Sequence, residues 1–230
     1  MPRASVIAHR GASGYAYQNS PAAFALAREM GADGIELDIH ATTDGALVVH
    51  HDPEVDGVGI IAEHTLADVR RVTLPNGEPV PTLEAVLAAV GALDVWIEVK
   101  TLPARWDDRL LETIARGPAP SRYGVHAFDH RIIARLGARA PALRRGVLSA
   151  SRPIDPVAQV AAAGADVLWQ ESSLTDLDLV SALHAAGKGV IVWTANTPEE
   201  LTRLVGLGVD GLCGNFPDRT RAAVGLSARP

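Results

Sequence analysis

Short apolar runs rich in β-branched residues alternate with segments of helical periodicity along nearly the whole chain. We count eight such runs, at residues 5–9, 34–39, 94–99, 123–127, 145–148, 166–169, 189–193 and 210–213. The helical segments lie near residues 21–30, 82–91, 107–116, 130–138, 156–163, 176–186, 198–206 and 218–224. Because strands that alternate with helices pair in parallel, the pattern predicts an α/β fold, a (β/α)8 TIM barrel, in one domain covering residues 1–230. A doubly wound open sheet is the alternative.

Glycine and aspartate mark the junction between helix and strand at three places. The segments are GADGIEL (31–37), GADVLWQ (164–170) and GVDGLCG (208–214). In each, a glycine follows the helical pattern and ends the helix, and an aspartate precedes the strand. Helix starts are indicated by Ser20 before Pro21 and by Thr197 before Pro198, where Glu200 completes a capping box. These signals support the predicted alternation.

One strand-like run, GALVVHHD at 45–52, does not fit the alternation. Only about five residues separate it from the preceding strand, too few for a crossover helix. We therefore expect a hairpin that turns at Thr43-Asp44-Gly45, and a short helix in TLADVRRV. Residues 40–81 then form an insertion in the second βα connection. In a TIM barrel that connection lies on the face where active sites are built, so DPEVDGVGI is expected to form a loop over the mouth.

The net charge of −6 makes a nucleic-acid or anionic-membrane surface an unfavourable interpretation, because no basic run is present. We expect a small-molecule partner, no nucleic acid and no stable membrane association, and we predict no oligomeric state. The chain start lacks the apolar stretch of a signal peptide, and no run is long enough to span a membrane. A single cysteine, Cys213, agrees with a reducing compartment. The expected location is the cytoplasm, with Cys213 as a buried hydrophobe.

Acidic side chains occur inside two strands whose other residues are apolar. Glu36 and Asp38 are two residues apart in DGIELDI, and Glu98 and Lys100 are two apart in DVWIEVK, so each pair shares one face of its strand. Three buried carboxylates that converge on one barrel mouth repel each other unless a cation neutralises them. Oxygen ligands favour Mg²⁺ or Ca²⁺ over zinc. The alternative is a structural Glu98–Lys100 ion pair with Glu36 and Asp38 at a solvated strand end.

Two histidines follow strand-like runs that end at the same rim. His9 ends the first strand and His51 ends the hairpin segment. Two imidazoles near a metal are suited to acid and base catalysis around neutral pH. Arg10 and Lys100 are suited to holding an anion, most naturally a phosphate. A histidine at a strand end is by itself more often structural, so the inference depends on the whole set.

These residues together resemble the glycerophosphodiester phosphodiesterase family over nearly the whole chain. The matching motifs, in order, are His9-Arg10-Gly11, Glu36-Leu37-Asp38, Thr42-Thr43-Asp44-Gly45, His51-Asp52, Glu98-Val99-Lys100, Ala127-Phe128-Asp129 and Trp193-Thr194-Ala195-Asn196. VPTLEAVL (80–87) also resembles the family's helix before the Glu-x-Lys strand.

The resemblance implies a metal-dependent TIM-barrel hydrolase that cleaves glycerophosphodiesters to glycerol 3-phosphate and an alcohol such as choline or ethanolamine. The implied site comprises catalytic His9 and His51, metal ligands Glu36, Asp38 and Glu98, phosphate-binding Arg10 and Lys100, and Trp193 as an apolar wall. Core packing is the alternative role for Trp193. The alternative functions are a lysophospholipase D-type phosphodiesterase and a catalytically silent barrel that binds phosphate esters.

Three positions depart from the family's pattern. Gln18 stands where the family usually has glutamate, Asn215 where it has aspartate, and Ala127 where it has serine. Two of these changes replace a carboxylate by an amide. We therefore expect a difference in the charge of the site or in the substrate that it accepts. The shortness of the insertion favours soluble diesters over lysophospholipids.

Overall fold

The computed structural model describes residues 3–225 of the chain. Its strands are β1 (Ser5–His9), β2 (Gly34–Ala41), β3 (Leu47–Val49), β4 (Glu54–Val55), β5 (Gly59–Ile60), β6 (Asp94–Thr101), β7 (Tyr123–Ala127), β8 (Arg144–Ser149), β9 (Val167–Glu171), β10 (Gly189–Trp193) and β11 (Gly211–Gly214). Its α-helices are α1 (Pro21–Glu29), α2 (Leu66–Val69), α3 (Leu83–Val90), α4 (Asp107–Arg116), α5 (His130–Arg139), α6 (Pro156–Ala162), α7 (Leu177–Ala185), α8 (Pro198–Leu207) and α9 (Pro217–Ala223).

Eight parallel strands form a closed ring, because β1 pairs with β11 on one side and with β2 on the other. From β2 the ring continues through β6, β7, β8, β9 and β10 to β11. Between consecutive ring strands the chain passes through at least one α-helix. The predicted TIM barrel is confirmed, and the open-sheet alternative is wrong because the sheet has no gap between β1 and β11.

Helix ends follow the local signals in the sequence. The Ser20 side chain accepts a hydrogen bond from the Ala23 amide at the start of α1. At the start of α8, Thr197 and Glu200 form the predicted capping box. Such caps satisfy amide groups that lack a partner within the helix and each contributes about 1 kcal/mol.

The insertion after β2 begins with the predicted hairpin. β3 pairs antiparallel with β2, with Val49 opposite Ile39. The short helix α2 is confirmed, and it is capped by Thr65 and Asp68. The expected loop contains instead a two-stranded hairpin of β4 and β5. Buried apolar side chains hold the insertion together, namely Val48, Val55, Ile61, Val69, Leu74 and Val80.

Part of the barrel interior is filled by a separate apolar cluster. Its buried members are Ile7, Trp96, Leu148, Trp169, Ile191 and Cys213. Two glycines leave room for the indole rings: a Cβ atom on Gly146 would lie 2.7 Å from Trp169 Cδ1, and one on Gly124 would lie 2.7 Å from Trp96 Cζ3. A TIM-barrel interior is filled mainly by apolar side chains, and this cluster supplies part of that filling.

Within residues 3–225, no helix combines the length and the apolar character needed to cross a membrane.

Candidate active site

Strand register brings the predicted acidic residues together. Asp38 of β2 lies opposite Glu98 of β6, and Glu36 of β2 lies opposite His9 of β1. One carboxylate oxygen from each of Glu36, Asp38 and Glu98 falls within 4.8 Å of the other two. These residues are buried, with relative exposures of 2%, 0% and 8%. The carboxylates therefore converge at the barrel mouth rather than at a solvated strand end.

Burial makes this cluster electrostatically costly when no cation is bound. Burial and the neighbouring Asp38 carboxylate raise the pKa of Glu36 to about 7. The same two causes raise the pKa of Glu98 to about 7. Burial also acts on Asp38, but Arg10 and Lys100 outweigh it and hold the pKa of Asp38 below its ordinary value. Asp38 is thus the carboxylate most firmly kept ionised.

Two side-chain cations partly neutralise the cluster. Arg10 Nε lies 3.1 Å from Asp38 Oδ2. Lys100 Nζ lies 2.8 Å from Glu98 Oε1 and 3.3 Å from Asp38 Oδ1. With all three carboxylates ionised, one negative charge stays uncompensated. The ion pair expected from Glu98 and Lys100 therefore exists, but within a cluster that has excess negative charge.

The donor set fits a divalent cation. All three candidate ligands offer carboxylate oxygens, which hard cations prefer. Asp38 Oδ1 is buried and accepts no hydrogen bond from the described residues, despite the nearby Lys100 ammonium. A divalent cation would turn the single excess negative charge into a single positive charge, the sign that attracts an anionic phosphodiester.

The loop after β1 is fixed by contacts to this cluster. Arg10 and Asn19 both adopt left-handed backbone conformations, with φ of 56° and 55°. This conformation costs about 1–2 kcal/mol for a residue other than glycine. The backbone N–H of Arg10 donates to Glu36 Oε2 at 3.1 Å, and the backbone N–H of Asn19 donates to the Arg10 carbonyl at 3.0 Å. Asn19 Nδ2 also donates to Asp38 Oδ2 at 2.8 Å, so the loop orients a candidate metal ligand.

His9 is held by an amide side chain. Its Nδ1 lies 2.7 Å from Asn215 Oδ1, and its Nε2 lies 4.0 Å from Glu36 Oε2. Because an amide oxygen accepts hydrogen bonds, this contact places the proton of neutral His9 on Nδ1. Burial lowers the pKa of His9, although Glu36 opposes this effect. His9 therefore presents an unprotonated Nε2 to the carboxylate side of the site.

His51 is more exposed than His9 and has a carboxylate partner. Its Nδ1 lies 2.8 Å from Asp52 Oδ1, and its carbonyl oxygen lies 3.1 Å from His40 Nε2. Burial and the nearby Arg10 guanidinium lower the pKa of His51, against the effect of Asp38. His51 and His9 line the same pocket, so the structure brings the two predicted histidines together.

Part of the wall of that pocket is aromatic. We use the term aromatic pocket for the space lined by His9, Arg10, Glu36, His51, Glu98, Lys100, His126, Phe128, Leu148, Trp169, Trp193 and Cys213. The Trp193 and Phe128 rings meet edge to face with centroids 5.6 Å apart. Trp193 Nε1 donates to the Trp169 carbonyl at 3.1 Å, which fixes the indole as a wall.

The sequence reasoning missed His126, which lies opposite Glu98 in the pairing of β6 and β7. Its Nε2 is 3.7 Å from Glu36 Oε1, and its ring centroid is 4.1 Å from that of Trp169. Burial lowers the pKa of His126 to about 4, so the ring is neutral at pH 7. The available signal was a lone histidine in the otherwise apolar strand around it. The reasoning also missed Asn19 as a partner of Asp38.

Of the three residues that depart from the expected pattern, Gln18 and Asn215 lie at the site and Ala127 does not. Gln18 Oε1 accepts from Arg10 Nη1 at 2.6 Å, and Asn215 bonds to His9. Ala127 is buried in the apolar layer between the sheet and the helices. The expected effect on the charge of the site therefore concerns Gln18 and Asn215 alone.

Known proteins resemble this chain in fold and, to a smaller extent, in sequence. Residues 9–219 match the model of the Glycerophosphoryl diester phosphodiesterase family. A glycerophosphodiester phosphodiesterase from Caldanaerobacter subterraneus subsp. tengcongensis is 32% identical over 229 residues, covering 93% of this chain and 94% of that protein. The crystal structure of a glycerophosphodiester phosphodiesterase from Parabacteroides distasonis has a TM-score of 0.88 at 25% identity, covering 96% of this chain and 97% of that chain. A phosphodiesterase from Oleispira antarctica, solved with the product sn-glycerol-3-phosphate, has the same fold, with a TM-score of 0.89 at 22% identity over 96% of this chain and 97% of that chain.

Proposed function

The chain belongs to the glycerophosphoryl diester phosphodiesterase family, and we propose that it hydrolyses glycerophosphodiesters to glycerol 3-phosphate and an alcohol. The observation that carries this proposal is the convergence of three buried carboxylates, two histidines and two side-chain cations at one barrel mouth. We propose the carboxylates of Glu36, Asp38 and Glu98 as the ligands of a Mg²⁺ or Ca²⁺ ion.

Arg10 and Lys100 bind the phosphate in this proposal. Both line the aromatic pocket, and each is held near Asp38 by an ion pair. The Arg10 guanidinium is further oriented by Gln18, which leaves other N–H groups of the fork for phosphate oxygens. A divalent cation held by Glu36, Asp38 and Glu98 would supply Lewis-acid stabilisation of the negative charge on a phosphoryl oxygen.

His9 and His51 transfer the protons of the reaction in this proposal. One imidazole takes a proton from the nucleophile, which is water or a hydroxyl of the substrate, as a new P–O bond forms. The other imidazole gives a proton to the leaving alkoxide as the old P–O bond breaks. The contact of His9 Nδ1 with Asn215 and that of His51 Nδ1 with Asp52 leave Nε2 of each ring for this transfer. General acid or base catalysis contributes about 10²- to 10⁴-fold for each group.

Trp193 contacts the glycerol or the alcohol portion of the substrate, supported by its place beside Phe128 at the pocket wall. Residues 1–230 act as one domain with 40–81 as its insertion. A cytoplasmic location is supported by the single, buried, unpaired Cys213.

A panel of diesters and metals tests the proposal. The full chain, stripped with EDTA, is incubated with glycerophosphodiesters and with a lysophospholipid, with and without added Mg²⁺ or Ca²⁺. We expect glycerol 3-phosphate from the glycerophosphodiesters only after the cation is restored. Faster release of the head group from the lysophospholipid would favour the lysophospholipase D-type activity. Inactivity on all substrates with both metals would favour the silent barrel and contradict the proposal.

A further inference from the structure

A second pocket, lined largely by the loop after β1, adjoins the aromatic pocket. We name it the amide pocket; its own lining residues are Ser13, Ala16, Tyr17, Gln18 and Asn215. His9 and Arg10 line both pockets, so the proposed phosphate position lies between them. The amide pocket has a volume of about 330 Å³, and the aromatic pocket is smaller, at about 70 Å³. A phosphodiester carries two substituents, and two pockets adjoin the proposed phosphate position.

The amide pocket offers uncharged hydrogen-bonding groups that the protein itself does not use. Gln18 Oε1 accepts from Arg10, but Gln18 Nε2 donates to no partner among residues 3–225. Asn215 Oδ1 is bonded to His9 and Ser13, and Asn215 Nδ2 likewise has no partner in the described chain. The Tyr17 hydroxyl is also unbonded within that part of the chain. These groups suit the hydroxyl groups of a ligand, which accept and donate hydrogen bonds.

The charges around the amide pocket disfavour a cationic ligand. None of its lining residues carries a carboxylate, and the charged side chain in its wall is Arg10. Asp218, three residues after Asn215, lies outside the lining, and both of its carboxylate oxygens accept a hydrogen bond from the Tyr15 hydroxyl. Recognition of a quaternary ammonium group needs several aromatic faces or a counter-charge, and this pocket has one aromatic side chain.

We infer that this enzyme prefers glycerophosphodiesters whose alcohol is an uncharged polyol, and that the amide pocket holds that alcohol. The inference rests on the proposed function and names its substrate class. Glycerol 3-phosphate then occupies the aromatic pocket and the phosphate position, and the polyol leaves through the amide pocket. A choline or ethanolamine group in the same place faces Arg10 and leaves the free amide donors unpaired, which lowers kcat/KM.

The test compares kcat/KM of the metal-loaded full chain for glycerophosphoglycerol, glycerophosphocholine and glycerophosphoethanolamine. We expect glycerophosphoglycerol to exceed each cationic substrate by at least about tenfold, as hydrogen-bonding sites reject ligands that leave their groups unpaired. Gln18→Glu places a carboxylate in the pocket and should raise the ratio of the choline to the glycerol substrate by about tenfold. Ala115→Glu makes the same change in charge on the exposed face of α4 and should leave that ratio unchanged.

Equal or better turnover of the choline or ethanolamine substrate by the wild type would overturn the inference while supporting the proposed function. An unchanged substrate ratio in Gln18→Glu would also overturn it. Inactivity on all three diesters would overturn the proposed function, and the inference with it.

Discussion

Asp38 and Glu98 lie directly opposite each other on the paired strands β2 and β6, and Lys100 Nζ lies within 3.3 Å of an oxygen of each. Neighbouring positions on parallel strands point to the same side of the sheet. The pairing therefore forces two carboxylates together inside the barrel, with Glu36 two residues away on the same face.

Cation binding should release protons. Glu36 and Glu98 have pKa values of about 7 in the metal-free protein, whereas a ligand carboxylate must be ionised. The affinity for Mg²⁺ or Ca²⁺ should therefore rise from about pH 6 to pH 8 and then level off, with about one to two protons released at the lower pH. Calorimetry in buffers of different ionisation enthalpy measures this. In Glu98→Gln the release should fall by about one proton. An affinity that does not change with pH would contradict the assignment.

Neutralising Glu36 should stabilise the metal-free protein. The pKa of Glu36 is raised on folding, so this group costs stability at every pH above its ordinary pKa. The cost is largest above about pH 7 and disappears only as the pH falls to that ordinary value, where the unfolded chain is protonated as well. At about pH 8 with EDTA, the free energy of unfolding of Glu36→Gln should be about 1–3 kcal/mol higher than that of the wild type. Saturating cation should reverse the order, because it binds the folded wild type more tightly. Urea denaturation measures the free energy of unfolding of both proteins. A less stable variant in EDTA would contradict the electrostatic account.

Replacing the amide that holds His9 should move the pH profile. In Asn215→Asp, a carboxylate accepts from His9 Nδ1 and stabilises the imidazolium, which raises the pKa of His9. One limb of the profile of kcat/KM should therefore shift to higher pH by about one unit. Asn215→Ser, which brings no charge, serves as the control. An unmoved profile in Asn215→Asp would show that His9 does not titrate in the reaction.

Two glycine substitutions should act on stability in opposite directions. A Cβ atom at Gly146 would meet the Trp169 indole at 2.7 Å, so Gly146→Ala should destabilise the barrel by about 1–3 kcal/mol. Gly206 lies in α8 with no atom within 4 Å of its Cβ position. Gly206→Ala should stabilise the protein by about 0.5–1 kcal/mol, because alanine favours the helix. Thermal unfolding measures both. Equal stability of the two variants would refute the packing argument.

The sequence contains enough local information to predict the barrel. Helix periodicity and caps set element ends closely; the segment predicted at 107–116 is α4, Asp107–Arg116. The acidic cluster was predictable because two-residue spacing fixes the face of a strand and parallel strands end at one rim. The exception is the loop in the insertion, where β4 and β5 form a hairpin of two residues per strand, too short to give a periodic signal.

Partners that depend on strand register or loop conformation were not predictable. His126 reaches Glu36 because β7 sits beside β6 in one particular register. Asn19 reaches Asp38 through a left-handed backbone at Asn19 itself. Gln18 and Asn215 were recognised as unusual residues, but their partners Arg10 and His9 follow only from the folded loop. Except for Arg10 and Gln18, which lie eight positions apart in one loop, these contacts join residues at least 19 positions apart, and no local pattern encodes them.

The most direct test of the central claim is the kcat for release of glycerol 3-phosphate by the wild type, His9→Ala and His51→Ala at saturating cation. Each variant should lose at least about 10²-fold in kcat, because each lacks one proton-transfer group. Calorimetry with the same cation should show that both variants still bind it, since neither histidine is among the proposed ligands. Full activity in both variants, with binding intact, would contradict acid and base catalysis by this pair.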